Sequence, residues 1–453
     1  MQQWKVQKMK ICVVNGSPRA KYSVTLHTSL YLEKRFPGHV FTYVDVPRRL
    51  HFSQEDILKA ANVILESDLT IFSYPVYTFI APSQLHYFIR GLKESGLDFT
   101  GKFVTQITTS KHFYDVTAHR YVEENCHDLG MKVIHGLSAD MEDLTTEKGR
   151  QEAETFLRYA VSCVENDVFE PAVVFSSRKA ADYQPAMAEA EKGQGKEIAL
   201  VADLASGDDS LRAMIEDFTK AAPYPVKLVN IAEYPFQGGC LGCFHCAGDG
   251  KCIYKDGFDD YLRNSIQSAA ATVYAFTITD HSMGPRFKMF DDRQFCNGHR
   301  TVTEGKPVAY LIHGDYAQEN NLRTILEARA EVGHNFYAGA AVDASTMDVM
   351  IRRLKYAMDN QYVQPRNFYG VGGMKIFRDL IWVMRGLMKA DHQFYKKHGV
   401  YDFPQKQRPK MMLMCLLGAM VRNPKIKAKM GNGFNEGMVA PYKKALKDAE
   451  KAQ

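Results

Sequence analysis

At 453 residues the chain exceeds one small domain, and at roughly 100–200 residues per domain it should hold two or three. Its 45% apolar, 24% charged and 11% aromatic residues exclude a largely disordered or fibrous chain. The net charge of +5, from 57 basic and 52 acidic residues, gives no strong field for a polyanion, so nucleic acid is not an expected partner.

From Met9 short β-branched or aromatic runs alternate with longer amphipathic ones. Strands are predicted at Met9–Asn15, Val40–Val44, Leu69–Pro75, Lys102–Thr108 and Met131–Leu137. Helices follow after Tyr22, from Glu55, from Ser83, near Val116 and from Glu147. Such alternation predicts a doubly wound parallel sheet with helices on both faces. Residues 169–196, poor in large apolar groups, read as an exposed linker. The strand pattern restarts at Glu197 and recurs at Val226–Ile231, Ala271–Thr279, Lys306–Gly314 and Asn335–Val342.

The second run repeats landmarks of the first. Lys102 matches Lys306, Leu129-Gly130 matches Val332-Gly333, and Pro82 with its aromatic-rich helix matches Pro285 and Phe290. Three such pairs in order at nearly constant spacing point to tandem copies of one domain. The expected units are 1–168, the linker 169–196, a second copy 197–345 and a helical C-terminal extension 346–453. In that extension Ile376, Leu380, Trp382, Val383, Leu387 and Phe394 form one broad apolar stripe, expected to pack on the domain surfaces or across a homodimer contact. The run Met411 to Met420 holds about ten apolar residues where a membrane span needs about twenty, so a buried or interfacial helix and no membrane span are expected.

The loop Val14-Asn15-Gly16-Ser17-Pro18-Arg19 joins the first strand to a helix whose start carries Ser23 and Thr25. Backbone amides at a helix start, hydroxyls and a cation converge there as a phosphate monoester requires, although an ordinary capped turn has the same outline. The loop after the third strand, Ser73 to Pro82, sets two prolines and two aromatics as an apolar shelf suited to a flat ring. A third loop, Thr108 to Tyr114, adds donors and rings. With GSPR, its downstream Ser and Thr, and PVY before a proline and helix, residues 9–165 resemble the flavodoxin-like, NAD(P)H-dependent FMN reductases. The resemblance implies strand order 2-1-3-4-5 and FMN, its phosphate on Ser17, Arg19, Ser23 and Thr25. It implies the flavin ring against Pro75, Val76, Tyr77 and Phe79, with Thr109 and Ser110 from the third loop. His112 and Tyr114 are candidates for hydrogen bonding to flavin, or simply space-filling rings; no catalytic residue is assigned.

Nine cysteines are few for a disulfide scaffold of this size, and four of them crowd into residues 240–252, which speaks of a metal centre or redox site in a reducing compartment. The N-terminus runs from charged residues into the first strand without an apolar leader, and the chain reads as cytoplasmic. Cys240, Cys243, Cys246 and Cys252 on one glycine-rich loop suit a cubane cluster. A four-cysteine zinc site, a disulfide relay and plain free thiols remain alternatives. This run and the following Asp259-Asp260 resemble the iron-sulfur flavoproteins, which implies a 4Fe-4S cluster. The second copy departs from the family at both flavin loops. It has Asp203, Asp208 and Asp209 where a phosphate would sit, and Thr279-Asp280-His281 in place of PVY. The halves therefore look like a fused pseudo-dimer, with flavin in the first and cluster in the second.

The expected function is an FMN-dependent oxidoreductase passing electrons between NAD(P)H or ferredoxin and a small-molecule or protein acceptor. No GxGxxG fingerprint occurs, and none is needed if nicotinamide stacks on bound flavin. The alternatives are a cluster-free quinone or nitro-compound reductase, and a non-enzymatic electron carrier or redox sensor.

Overall fold

The computed structural model describes residues 8–48, 53–172, 181–426 and 433–451. Residues 1–7, part of the expected linker (173–180) and part of the extension (427–432) lie outside the described residues.

The first half runs β1 (Lys10–Asn15), α1 (Val24–Arg35), β2 (Val40–Asp45), α2 (Gln54–Leu65), β3 (Leu69–Pro75), α3 (Ser83–Glu94), β4 (Phe103–Ser110), α4 (Asp115–Asp128), β5 (Lys132–Val133), β6 (Leu137–Asp140) and α5 (Glu147–Glu165). Its parallel sheet has the order β2-β1-β3-β4-β5, and β6 also pairs with β4. The expected fifth strand is thus broken at Gly136, where a Cβ would strike the Gln106 and His119 side chains. Residues 11–15 of β1 are all buried, because helices cover both faces of the sheet.

The second half runs β7 (Ile198–Ala202), α6 (Asp209–Ala221), β8 (Val226–Asn230), the short α7 (Phe258–Tyr261), β9 (Ala271–Thr277), α8 (Pro285–Arg293), β10 (Pro307–His313), α9 (Asn320–Gly333), β11 (Phe336–Ala341) and α10 (Ala344–Asn360). The sheet order β11-β10-β9-β7-β8, read from the other edge, is again 2-1-3-4-5. The two doubly wound sheets are those the alternation predicts, and the C-terminal region is helical: α11 (Phe368–Val383), α12 (Lys389–Lys397), α13 (Arg408–Val421) and α14 (Gly433–Glu450).

Two segments expected outside the second copy belong to its core. Helix α10 buries Met347, Met350, Ile351, Leu354 and Met358 there. Tyr183, from the expected linker, enters the same core and donates its hydroxyl to Asp217 at 2.7 Å.

The tandem relation is also written in the backbone. After β3 the chain reverses through Tyr77-Thr78-Phe79-Ile80 with φ of 49° and 76° at the central pair, and Tyr77 and Ile80 bridge. After β9 it reverses through Thr279-Asp280-His281-Ser282 with φ of 53° and 58°, and Thr279 and Ser282 bridge. Left-handed conformation at two consecutive non-glycine residues is costly, so its recurrence at equivalent places marks one inherited design. Helix α3 packs on its counterpart α8 and α4 on its counterpart α9, which makes the two halves a pseudo-twofold pair.

The chain divides into two compact units, Met1–Phe394 and Tyr395–Gln453. No helix among the described residues is long and apolar enough to cross a membrane.

Candidate functional site

Gly16 leads out of β1 in a tight place: a Cβ there would sit 3.0 Å from Leu85 of α3 and 3.2 Å from Tyr74 of β3, so a side chain would have to displace one of them by a few tenths of an ångström. The loop folds back on itself, with Ser17 Oγ accepting from the Arg19 amide at 3.3 Å. Ser23 caps α1 by accepting from the Leu26 amide at 3.3 Å. One turn in, the hydroxyls of Thr25 and Thr109 meet in a close hydrogen bond that ties α1 to the end of β4. Ser17, Ser23, Thr25, Thr109 and Ser110 are all buried. The Arg19 guanidinium lines the same cavity and makes no ion pair among the described residues. Buried hydroxyls, a helix N-terminus and an uncommitted cation fit a phosphate monoester.

The shelf after β3 is held from the other half of the molecule. Lys288 on α8 is fully buried, donates to the Tyr77 carbonyl at 2.8 Å and pairs closely with Asp292. Asp292 in turn accepts from the Ser83 amide at 2.8 Å and from the Thr78 hydroxyl at 3.4 Å. Burial pushes the Asp292 carboxyl above its usual range, opposed by Lys288. Burial also holds the Tyr77 phenol well above its ordinary value, so it stays neutral. Phe79 meets Phe113 (5.0 Å) and Tyr114 (4.4 Å) at tilted angles, and Phe113 meets Phe377 of α11 at 4.2 Å.

The cysteine loop lies directly on this shelf. Gly242, at φ +60°, touches Tyr77 so closely that a Cβ would fall inside the tyrosine hydroxyl. The Cys240 carbonyl accepts from Gln84 at 3.4 Å. The loop itself is braced by Arg293, whose fork donates to both Asp256 oxygens at 2.7 and 2.8 Å and to the Gly238 carbonyl at 2.9 Å. The guanidinium is caged by Tyr254, Phe258 and Phe236 at 4.5, 5.2 and 5.7 Å. Asp259 accepts from the Cys252 amide at 3.2 Å, and the Gly242 amide donates to Cys240 Sγ at 3.4 Å. Burial raises the Cys240 thiol, and raises Cys246 to about 11. The four cysteines share one cavity wall, one amide donates to a sulfur among them, and as thiolates they would need a bound cation.

All ten expected flavin-contacting residues and all four loop cysteines line one cavity of about 460 Å³. Neither His112 nor Tyr114 lines it: His112 pairs with Asp115 at 2.8 Å, and the Tyr114 hydroxyl is buried without a hydrogen-bond partner among the described residues. Sequence reading leaves out Met141, Phe295, His299 and Arg300, which also line the cavity, as does Lys111 of the third loop. The Cys296 thiol is likewise buried in the cavity wall within electrostatic reach of Cys246 and Cys252, and burial raises it to about 12. No local motif marks these residues; only the fold brings them in.

Helix α11 closes the cavity with Phe377, Leu380 and, just past its end, Met384. Of the expected stripe Leu380 lines the cavity and Ile376 and Phe394 are half-buried, whereas Trp382, Val383 and Leu387 are exposed; Gly370, Gly373, Met374, Arg378 and Ile381 are the buried positions of the helix. The reason is close approach: a Cβ on Gly373 would sit 2.6 Å from Phe113 and 2.9 Å from Val332. Small residues set this register, and hydrophobic patterning does not weigh them.

In the second copy the equivalent loops are filled with paired charge. Asp203 binds Arg286 at 2.5 Å, and Asp208 accepts from Thr277 at 2.7 Å. His281, in the repeated turn, lies between Glu319 (3.1 Å) and Asp128 (2.9 Å).

Fold and site together define a doubled α/β protein of doubly wound sheets with one composite cavity. No family model matches the chain. Among curated proteins it is similar to the iron-sulfur flavoprotein of Archaeoglobus fulgidus, 24% identical over 173 residues that span 35% of this chain and 78% of that protein. Among solved structures it is similar to the NAD(P)H:quinone oxidoreductase from Methanothermobacter marburgensis, with 14% identity, 37% of this chain, 100% of that one and a TM-score of 0.29. It is also similar to a flavoenzyme NAD(P)H:(acceptor) oxidoreductase from Paracoccus denitrificans, with 16% identity, 35% of this chain, 98% of that one and a TM-score of 0.30.

Proposed function

We propose that the chain is an FMN-dependent oxidoreductase. It moves electrons between NAD(P)H or ferredoxin and a small-molecule or protein acceptor, with FMN in the first half and a 4Fe-4S cluster on Cys240, Cys243, Cys246 and Cys252. The observation that carries this reading is the single cavity shared by the phosphate-type loop and the cysteine loop, with Gly242 in contact with Tyr77. The similarity to an iron-sulfur flavoprotein supports the same pair of groups. When bound, FMN exchanges electrons in pairs or singly, and a cluster beside it passes single electrons.

The chain's own residues supply binding and position. Arg19, Ser17, Ser23 and Thr25 hold the phosphate at the start of α1. Pro75, Val76 and Tyr77 orient the ring, and Thr109 and Ser110 offer it hydroxyls. Lys288 and Asp292 keep the shelf from moving. Phe79, Phe113 and Phe377 keep water from that wall of the cavity.

Protein purified without oxygen should be brown and carry one FMN with about four irons and four labile sulfides. Cys243→Ser should remove the brown absorbance and leave the flavin. Stoichiometric zinc without iron would overturn the cluster, and flavin-free protein that does not bind added FMN would overturn the flavoprotein reading. Steady-state oxidation of NAD(P)H with a quinone or dye separates an enzyme from a carrier.

A further inference from the structure

The C-terminal unit, Tyr395–Gln453, buries Tyr395 and Tyr401 but leaves the apolar side chains of its last two helices exposed. In α13 Met411, Met412, Leu413, Met414, Leu416 and Met420 are each more than half exposed, up to 68% at Met412, and no residue of the helix is buried. Four of these are consecutive, so they surround the helix instead of forming one stripe for a partner helix. Exposed apolar surface of this kind marks a contact surface.

Charge selects what covers it. Between Asp402 and Glu436 the sequence holds seven Lys or Arg and no Asp or Glu. Lys406, Arg408 and Lys410 precede the apolar run and Arg422 and Lys425 follow it. In α14 the exposed Met438, Val439, Tyr442 and Leu446 fall within about 100° of helix circumference, with Lys443, Lys444 and Lys447 on the other side. Helix α13 packed on the α13 of a second copy would set cation against cation, with no acid between Asp402 and Glu436 to neutralise it. An anionic lipid surface accepts both features: acyl chains receive the methionines and leucines, and headgroups receive the flanking cations. At 1.5 Å per residue α13 spans about 21 Å, too short for a crossing but fitted to lying in the interface with both basic ends at headgroup level.

We propose that α13, with the apolar face of α14, is a membrane-surface anchor that seats the full chain on anionic lipid. The test is flotation of the full-length protein with phosphatidylcholine vesicles made with and without phosphatidylglycerol. The expected result is flotation with the anionic vesicles and little with the neutral ones, weakening as salt is raised. Lys406→Glu/Arg408→Glu/Lys410→Glu should reduce partitioning by roughly 100-fold or more, since each cation near such a surface is worth about fivefold. Leu413→Asp/Leu416→Asp should abolish it; circular dichroism and bound flavin confirm that each variant is folded. Protein that stays unbound with both vesicles overturns the proposal, as does equal binding to both. So does a soluble dimer that ignores vesicles and is split by the Leu413/Leu416 variant, which would make the occupant a second copy.

Discussion

The two halves share one backbone reversal and use it for different ends. After β3 the left-handed pair Thr78-Phe79 sets Tyr77 under the cysteine loop and Phe79 in the aromatic wall of the cavity. After β9 the pair Asp280-His281 turns the same geometry into an ion-pair junction. Asp280 meets Arg90 and Lys93, and His281 bridges Asp128 and Glu319. The costly backbone is kept in both copies while the side chains diverge. One copy sets this turn in the cavity wall and the other sets it in an ion-pair junction, a divergence that a homodimer encoded by a single sequence cannot make.

The comparison breaks most sharply at the phosphate-type loop. Arg19→Glu should weaken FMN binding by about 100-fold or more, whereas Ser206→Asp in the second copy should leave it unchanged. Flavin stoichiometry by absorbance is the readout, and two FMN per chain would refute the division between halves. Next in size is the brace from the second half. Lys288→Met leaves Asp292 as an uncompensated buried carboxylate and should cost about 3–5 kcal/mol in denaturant unfolding, whereas Lys288→Met/Asp292→Leu should recover most of it.

Gly242→Ala comes third. Strain at φ +60° and the clash with Tyr77 should together cost roughly 2 kcal/mol, and truncating Tyr77 in the same protein should relieve the clash but not the strain. A change that is additive in the double variant would show that the loop and the shelf are not in contact.

The smallest effect separates the turns by pH. Burial opposes charge on His281, but hydrogen bonds to Asp128 and Glu319 overcome it and raise the imidazole from 6.5 to about 9. Its stabilisation is therefore complete below about pH 6.5 and is lost as pH rises through about 9, amounting to roughly 1–3 kcal/mol. Glu124, which burial raises to about 7, adds a slope of the same sign at lower pH. His281→Gln should flatten the loss of thermal stability between neutral and mildly alkaline pH. An unchanged profile would remove the ion-pair reading of the second turn.

The strands were legible in the sequence because buried parallel strands are short β-branched runs between amphipathic ones, and their duplication followed from the Lys102/Lys306 and Pro82/Pro285 landmarks. The loops lining the cavity were legible for a different reason: GSPR, PVY and the four-cysteine run each carry their chemistry within a few residues. The contacts by which those loops meet were not legible, because they depend on α3 against α8 and on a glycine that no local pattern encodes. Thr78 and Phe79 gave no sign of left-handed backbone, since bulky residues ordinarily avoid it. Helix α10 looked like part of the tail because a closing helix carries no strand beyond it to mark the domain's edge. The buried positions of α11 escaped notice because the closest contacts there are made by glycine.

Arg293 has a consequence for how a metal would enter. Its guanidinium ties Asp256 and Gly238, on either side of the cysteine run, inside a ring of aromatic side chains. In small zinc domains the ligands are gathered by the ion itself, so that removing the metal unfolds the chain. Here Arg293 and its aromatic neighbours fix both ends of the cysteine run from the protein's interior. A chelator should therefore leave the chain folded, and a collapse of its circular dichroism on chelation would refute this.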